Sequence, residues 1–340
     1  MPSLVIAEDG VAARGWLGEE KAVAHGAENP VEFVVTRNER LPTLLAMVRD
    51  RWHFAAPPFA GSLEPATFYC GGPQDEALAR LEWLLGQRQR CGLVIGDEGI
   101  GKSHLATMAV RRLAGLGAEA VLLSLRGLAA GDWLDLLLAR LPLDPASRAE
   151  PLRPWQKLEN RLRENTLMER PTVLIVDDLD HAPEDCLDGL ARIVGGAEPL
   201  FARTVVVGLA SSAGMSRIPD AIRTRAAVRV ELTPWEEADV AGFLARSLER
   251  VGGPADLFSP EAIGTISRFA LGVPRVVCQL AHLATVVAAG ERRHQIDSAV
   301  IEGVWRELTP AAVTGAPRDR HDDADLPAHP RVRVVRKLWG

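Results

Sequence analysis

The most constraining feature of the sequence is a glycine-rich loop between an apolar segment and a segment with helical spacing. The loop matches the pattern G-x-x-x-x-G-K-[S/T] without a gap and reads Gly96, Asp97, Glu98, Gly99, Ile100, Gly101, Lys102 and Ser103. The preceding segment CGLVIG at 91–96 predicts a strand, and residues 102–116 predict a helix. Glycines let backbone N–H groups turn inward around phosphate oxygens, and the start of a helix adds a positive dipole end. The sequence therefore predicts a phosphate-binding loop at a strand–helix junction.

The last residues of this loop have the chemistry that a nucleotide requires. Lys102 is expected to neutralise the β- and γ-phosphates, and the Ser103 hydroxyl is expected to bind Mg²⁺. ATP and Mg²⁺ are therefore the predicted ligands. The predicted nucleotide contacts are Gly96, Asp97, Glu98, Gly99, Ile100, Gly101, Lys102, Ser103 and His104.

A second segment that carries chemistry is an apolar strand, TVLIVD at 172–177, followed by another aspartate. Asp177 is expected to hold Mg²⁺ opposite Ser103, and Asp178 to polarise the attacking water. Solvated aspartates at a strand end are the alternative, and the loop upstream favours the functional interpretation. Asp178 is one methylene shorter than a glutamate, so it predicts slow catalysis or a role chiefly in binding.

Strands and helices alternate through the middle of the chain. The predicted strands are 91–96, 119–125, 172–177, 203–210 and 227–232, and the predicted helices are 74–88, 102–116, 133–141, 155–166 and 182–194. Several of the strands are nearly continuous apolar runs, as expected when helices cover both faces of a parallel sheet. The predicted fold class is α/β, a P-loop NTPase with a five-stranded parallel sheet sandwiched by helices.

After Leu232 the pattern is helical. Thr233-Pro234-Trp235-Glu236 predicts a capping box that opens a helix to about 249, and Ser259 and Asp297 are predicted helix caps. A further helix is predicted over 274–289. The predicted parts are a weakly structured extension at 1–46, an α/β domain at 47–232, a small all-helical lid at 233–308 and a mostly disordered tail at 309–340.

The two ends of the chain give weaker signals. VEFVVT at 31–36 predicts a strand and LPTLLAMV at 41–48 a short helix, while the tail ends in RVRVVRKLWG. That ending is either a solvated basic tail, a strand that straps onto the chain's own sheet, or a docking peptide.

Composition argues against several other classes of protein. The formal charge of −6 gives no basic footprint for nucleic acid. The four cysteines contain no C-x-x-C pair, and the eight histidines supply no clustered zinc ligands, so reduced thiols in a cytoplasmic protein are expected. The longest apolar run, at 276–289, is too short and too interrupted for a transmembrane helix. The first residues lack the pattern of a signal peptide.

Taken in order, these features resemble the AAA+ ATPase module of ExeA-type general secretion pathway proteins. The resemblance runs from about 52 to 308, about three quarters of the chain. It rests on Pro58-Phe59 in an aromatic segment, the helix QDEALARLEWLL, the phosphate loop, the aspartate strand, and a lid that carries Gly272-Val273-Pro274-Arg275. Transposition ATPases of the TniB and TnsC type share this architecture.

The resemblance implies further roles that position alone does not select. It places strand 203–210 between the phosphate-loop strand and the Asp177 strand, and Ser211 or Ser212 in the sensor-1 region. It implies that Arg225 is an arginine finger for a neighbouring subunit, and that Arg275 is a sensor-2 arginine on its own chain's γ-phosphate. Family members often have Asp-Glu where this chain has Asp177-Asp178, and more often Asn, Thr or Gln at sensor 1.

Three functions remain open at this stage. The leading hypothesis is an ATPase that forms a homo-oligomer and drives or switches an assembly with a protein partner. The second is a DNA-associated regulator of the transposition type, which the net charge does not favour. The third is a signalling switch that binds nucleotide and turns over slowly, for which an Asp-Asp pair is typical.

Overall fold

The computed structural model of the chain describes residues 41–143 and 152–308, with side chains from residue 46 onward. All of these residues except Leu41 belong to one compact unit, Pro42–Gly340. The predicted strand at 31–36 and the predicted tail at 309–340 lie outside the described residues. Those predictions, including the alternatives for RVRVVRKLWG, are therefore unchanged.

Five parallel strands form one sheet in the order β2-β3-β4-β1-β5. The strands are β1 (Cys91–Ile95), β2 (Glu119–Ser124), β3 (Thr172–Asp177), β4 (Thr204–Ala210) and β5 (Val228–Glu231). β4 lies between β1 and β3, as the resemblance implied, and the predicted fold class is confirmed. Since parallel strands end at the same edge of a sheet, the residues that follow β1, β2, β3 and β4 are brought together there.

Helices precede, separate and cover the strands. They are α1 (Leu41–Trp52), α2 (Gly72–Gly86), α3 (Lys102–Gly115), α4 (Asp132–Arg140), α5 (Pro154–Leu167), α6 (Glu184–Gly195) and the short α7 (Asp220–Arg223). One apolar core joins α2 and α3 to one face of the sheet, and a second joins α4, α5 and α6 to the other face. β3 and β4 are buried along their whole length, which explains their uninterrupted apolar sequences.

A helical region follows the last strand. It contains α8 (Glu237–Arg250), α9 (Pro260–Ala270), α10 (Pro274–Gly290) and α11 (Ser298–Leu308), which share a third apolar core. Two of the predicted helix caps, Ser259 and Asp297, are confirmed. The Ser259 hydroxyl accepts from the Ala262 N–H at 3.2 Å, and the Asp297 carboxylate accepts from the Val300 N–H at 3.0 Å. The boundary of a separate lid domain at 232/233 stays a prediction.

The predicted start of α8 is wrong. Thr233 to Glu236 is not helical, and α8 begins at Glu237 with Glu236 as its cap. A hydrogen bond between residues that are distant in the sequence explains the difference. The Trp235 N–H donates to the Gly272 carbonyl at 2.8 Å, which holds the segment extended against the loop that leads into α10.

The aromatic segment before α2 packs mainly on the helical region. Trp52, Phe54 and Phe59 are buried in the same core as α8 to α11, and the Phe59 ring meets Phe258 edge-on at 5.8 Å. This segment therefore links the part of the chain before the sheet to the part after it. Among the described helices, none has both the length and the apolar character that a bilayer crossing requires.

Candidate functional site

The glycine-rich loop joins β1 to α3 at the carboxyl edge of the sheet. The Gly96 N–H donates to the Ala210 carbonyl at 3.2 Å, which ties the start of the loop to the end of β4. Gly99 and Gly101 have φ angles of +83° and +99°, a region that glycine adopts at little cost. Because α3 begins directly after Gly101, the loop is placed at a helix N-terminus, where backbone N–H groups favour anions.

Lys102 lies within the curve of this loop. Its Nζ donates to the carbonyls of Gly96 at 2.8 Å and Asp97 at 3.0 Å. Burial lowers the pKa of Lys102. Four surrounding carboxylates oppose that shift: Asp177, Asp180, Asp178 and Glu98. Backbone carbonyls are weak partners for an ammonium group, so the lysine can exchange them for an anion bound in the loop.

Asp177 and Ser103 are neighbours in the site. Asp177 ends β3 and is only 5% exposed. Burial raises the pKa of Asp177, and a hydrogen bond from the Ser103 hydroxyl lowers it. The two predicted magnesium ligands are thus adjacent oxygen groups, the kind of donor that Mg²⁺ prefers.

Asp178 has an uncommon backbone conformation and a specific partner. Its φ of +56° is left-handed, which turns the chain sharply after β3. Arg126 donates to both carboxylate oxygens, at 3.2 and 3.3 Å. The same guanidinium lies 3.6 Å from the Glu98 carboxylate in the phosphate loop. The carboxylate that was predicted to polarise water is therefore held by an arginine.

Ser211 follows β4 and faces a third carboxylate, Asp180. The Ser211 hydroxyl donates to Asp180 at 2.6 Å and accepts from the Gly214 N–H at 2.9 Å. Burial raises the pKa of Asp180, but the hydrogen bonds from Ser211, a backbone hydrogen bond and the nearby His181 together outweigh burial, so the pKa lies below its usual value. Ser211 thus positions Asp180 in this structure, and its sensor-1 role, like that of Ser212, stays a prediction.

A group of possible metal ligands lies beside this contact. One ligand atom from each of Asp178, Asp180 and His181 lies within 4.8 Å of the others. The predicted magnesium ligands, Ser103 and Asp177, are a different pair, and they lie closer to the phosphate loop because that loop supplies Ser103.

Arg275 brings the helical region to the phosphate loop. Its backbone N–H donates to the Gly99 carbonyl at 3.1 Å, and its side chain begins directly beside Gly99. Gly272, with a φ of +69°, allows this approach, since a Cβ there would stand 2.1 Å from the Trp235 carbonyl. The predicted sensor-2 residue is therefore adjacent to the loop, although its contact with a phosphate stays a prediction.

His104, the last predicted nucleotide contact, faces the segment before α2. Its Nε2 lies 3.1 Å from the Glu64 carbonyl, and its ring meets Phe68 edge-on at 5.0 Å. Burial lowers the pKa of His104. The segment 59–69 therefore covers one side of α3 next to the loop.

Arg225 is at the opposite end of the sheet. Its guanidinium donates to the Ala221 carbonyl at 3.1 Å and lies beside Gly195. The register places it there, because the Ala227 N–H donates to the carbonyl of Cys91 at the start of β1, whereas the phosphate loop follows the end of β1. Arg225 is therefore separated from its own loop by the length of a strand.

Sequence reasoning missed two residues of this site, Arg126 and Asp180. The pattern Asp177-Asp178-Leu179-Asp180 contained a signal for Asp180, because a third carboxylate followed the strand. Arg126 gave no signal, since its partner Asp178 lies 52 positions away along the chain.

The parallel sheet of this strand order, with a glycine-rich loop between β1 and the helix α3, defines a P-loop NTPase fold. A family model for an AAA domain matches residues 85–207, which include the loop and both aspartates. The chain is 24% identical to general secretion pathway protein A of Aeromonas hydrophila over 278 residues. The alignment covers 76% of this chain and 50% of that protein, so the chain spans about half the length of its relative.

Solved structures show the same fold. The ORC2 protein of Aeropyrum pernix, in ADPNP–ADP complexes, superposes with a TM-score of 0.54 at 16% identity, covering 72% of this chain and 69% of that one. Drosophila ORC bound to DNA gives 0.53 at 16% identity, covering 84% and 70%. The predicted resemblance is confirmed: residues 85–207 match the AAA domain model, and the chain is similar over 278 residues to general secretion pathway protein A.

Proposed function

We propose that this chain binds ATP together with Mg²⁺ at the phosphate loop and hydrolyses it. The observation that carries the proposal is the convergence of Lys102, Ser103 and Asp177 beside the phosphate loop. These groups fit a magnesium nucleotide: an N–H-lined loop for phosphate, an ammonium beside it, and a hydroxyl and a carboxylate for the ion.

The proposed roles follow from position. Lys102 neutralises the outer phosphates, and Ser103 and Asp177 hold the ion. When bound, the Mg²⁺ would offset negative charge on the phosphate oxygens. Asp178 orients and polarises the attacking water, and Ser211 orients Asp180 beside it. Arg275 enters from the helical region and completes the positive surroundings of the loop.

We propose a homo-oligomer in which Arg225 acts on a neighbouring copy. In its own chain Arg225 is a strand's length from the phosphate loop, and it has no carboxylate partner among the described residues. An arginine that stabilises transition-state charge must come close to the nucleotide. A second copy is therefore the proposed acceptor.

The assembly that hydrolysis drives or switches is proposed to contain a protein partner, by analogy with the secretion-pathway relative. A slow-turnover nucleotide switch is a second candidate, and the bidentate hold of Arg126 on Asp178 favours it. A DNA-associated role has only the fold likeness to support it and is opposed by the net charge of −6. The use of ATP makes the cytoplasm the proposed compartment.

Exchange of the loop lysine tests the proposal. Lys102→Ala removes the charge-assisted phosphate contact, so MgATP affinity should fall at least about tenfold and hydrolysis should be lost, with the fold intact. Lys157→Ala, on α5, is the matched control and should bind as the unmodified chain does. Calorimetric titration with MgATP, a steady-state phosphate assay and circular dichroism measure the three quantities. Full hydrolysis by folded Lys102→Ala would refute the assignment.

A further inference from the structure

Arg126 is shared between two carboxylates that come from different parts of the site. It follows β2 by two residues, and the Leu125 N–H donates to the Asp177 carbonyl at 3.2 Å, which places Arg126 at the carboxyl edge of the sheet. From there its guanidinium contacts Asp178 after β3 and Glu98 in the phosphate loop. The contact with Asp178 raises the pKa of Arg126, so the guanidinium is charged.

Neither carboxylate has a second ion-pair partner among the described residues, although Lys102 lies close enough to interact with both. Among the described residues, Arg126 is the only basic side chain in an ion pair with Glu98 or with Asp178. The other two carboxylates near the loop have hydroxyl partners instead, Ser103 for Asp177 and Ser211 for Asp180. Without Arg126, two carboxylates that have no other ion-pair partner would therefore face the place where a polyphosphate is proposed to bind.

A glutamate in a phosphate-binding loop opposes the loop's own function. Like charges repel at this range, and a nucleoside triphosphate carries several of them. Glu98 is 71% exposed and Arg126 is 51% exposed, so solvent weakens their mutual attraction. Asp178 is only 21% exposed and is held through both oxygens, so the guanidinium has a more fixed geometry on that side.

We infer that Arg126 is the charge-balancing residue of the phosphate loop: it compensates Glu98 so that the loop accepts a polyphosphate anion, and it positions the Asp178 carboxylate. The inference rests on the proposed nucleotide binding. Arg126 acts through Glu98 and Asp178, so it is a positioning residue.

A set of variants tests the charge-balancing role and the positioning role separately. Arg126→Gln should weaken MgATP binding about three- to tenfold, because one exposed charge beside a multiply charged ligand contributes modestly. Glu98→Gln in the same chain removes the opposing charge and should restore affinity to within about twofold of the unmodified chain. Arg112→Gln is the matched control. Arg112 is 44% exposed and also bridges two carboxylates, Asp75 and Glu82, but on the α2–α3 surface.

Arg126→Lys distinguishes charge from geometry. A lysine supplies the charge without the planar fork, so it should recover MgATP affinity while kcat stays below that of the unmodified chain. The dissociation constant comes from equilibrium titration with MgATP, and kcat and KM come from a steady-state phosphate assay. The affinity loss in Arg126→Gln should also shrink as salt is raised.

Each outcome decides the inference. Restored affinity in the double variant, with an unchanged Arg112→Gln control, supports it. Unweakened binding by Arg126→Gln, or no rescue by Glu98→Gln, overturns the charge-balancing role. Full kcat in Arg126→Lys or Arg126→Gln overturns the positioning role. If the unmodified chain itself fails to bind MgATP, the proposed function fails, and that result is recognised before any variant is compared.

Discussion

Three aspartates lie within four residues at the end of β3, and they have three different surroundings. Asp177 is buried against Ser103, Asp178 is paired with Arg126, and Asp180 accepts hydrogen bonds from Ser211. Burial raises the pKa of Asp177. The pKa of Asp180 lies below its usual value, because the hydrogen bonds from Ser211, a backbone hydrogen bond and the nearby His181 together outweigh burial. Residue type therefore does not distinguish them. Their partners distinguish them, and these partners come from the segments that follow β2 and β4 and from the phosphate loop.

The Asp178 carboxylate gives a residue-scale prediction. Asp178→Asn keeps the size and one acceptor oxygen but removes the charge that would polarise water, so hydrolysis should fall about a hundredfold while MgATP affinity changes little. Asp188→Asn, on the exposed side of α6, is the control and should retain both properties. Single-turnover hydrolysis and equilibrium titration separate the two effects. Wild-type hydrolysis by Asp178→Asn would place the base elsewhere.

Among the elements, the strands were easier to predict than the helix starts. β3 and β4 are buried on both faces, so their apolar runs show in the sequence without knowledge of partners. The predicted start of α8 was wrong because a backbone hydrogen bond between Trp235 and Gly272 keeps the residues before Glu237 out of the helix. The predicted loop residues come together because they are contiguous. The Arg126–Asp178 pair depends on the order of the strands, which no local pattern encodes.

The attachment of α5 to the sheet gives an element-scale prediction. Glu119, at the start of β2, is 3% exposed and contacts Arg161 of α5 and Arg170, with a further hydrogen bond from Asn165 at 3.0 Å. Removing Glu119 leaves the Arg161 side chain, which is only 12% exposed, with the solvent-exposed Glu164 as its remaining carboxylate partner, so a largely buried charge loses its buried counter-charge.

Glu119→Ala should therefore lower the free energy of unfolding by about 3 kcal/mol. Glu164→Ala is the matched control, because Glu164 pairs with the same Arg161 but is 55% exposed, and it should cost less than about 0.5 kcal/mol. Urea denaturation followed by circular dichroism measures both. Equal losses in the two variants would contradict the assignment of stability to the buried pair.

At the scale of the whole molecule, three parts of the chain meet around the phosphate loop. The loop leaves the sheet, the helical region contacts it through the Arg275 backbone, and the segment before α2 reaches α3 at His104. Because the helical region and the segment before α2 both lie beside the loop, we expect a ligand bound there to affect how they pack against the sheet. In the proposed homo-oligomer, a neighbouring copy would add a further part to this site.

Arg225 is the residue through which that neighbour is proposed to act. β1 alone separates it from its own phosphate loop by about 16 Å, at about 3.3 Å per residue, which exceeds the reach of an arginine side chain. If Arg225 acts on another copy, the specific ATPase activity should rise with protein concentration, because only an assembly completes the site. Arg225→Ala should flatten that rise and leave MgATP affinity nearly unchanged.

Mixing two inactive variants tests the same prediction without reference to concentration. Asp178→Asn is expected to bind nucleotide and retains Arg225, while Arg225→Ala retains a complete phosphate loop and Asp178. In a mixed assembly, the Asp178→Asn copy would supply its arginine to the intact site of the Arg225→Ala copy, so hydrolysis should return when the two are combined. Arg111→Ala, on the exposed side of α3, is the control and should be active alone. A mixture that stays inactive although it co-elutes as one assembly would mean that Arg225 does not act between copies.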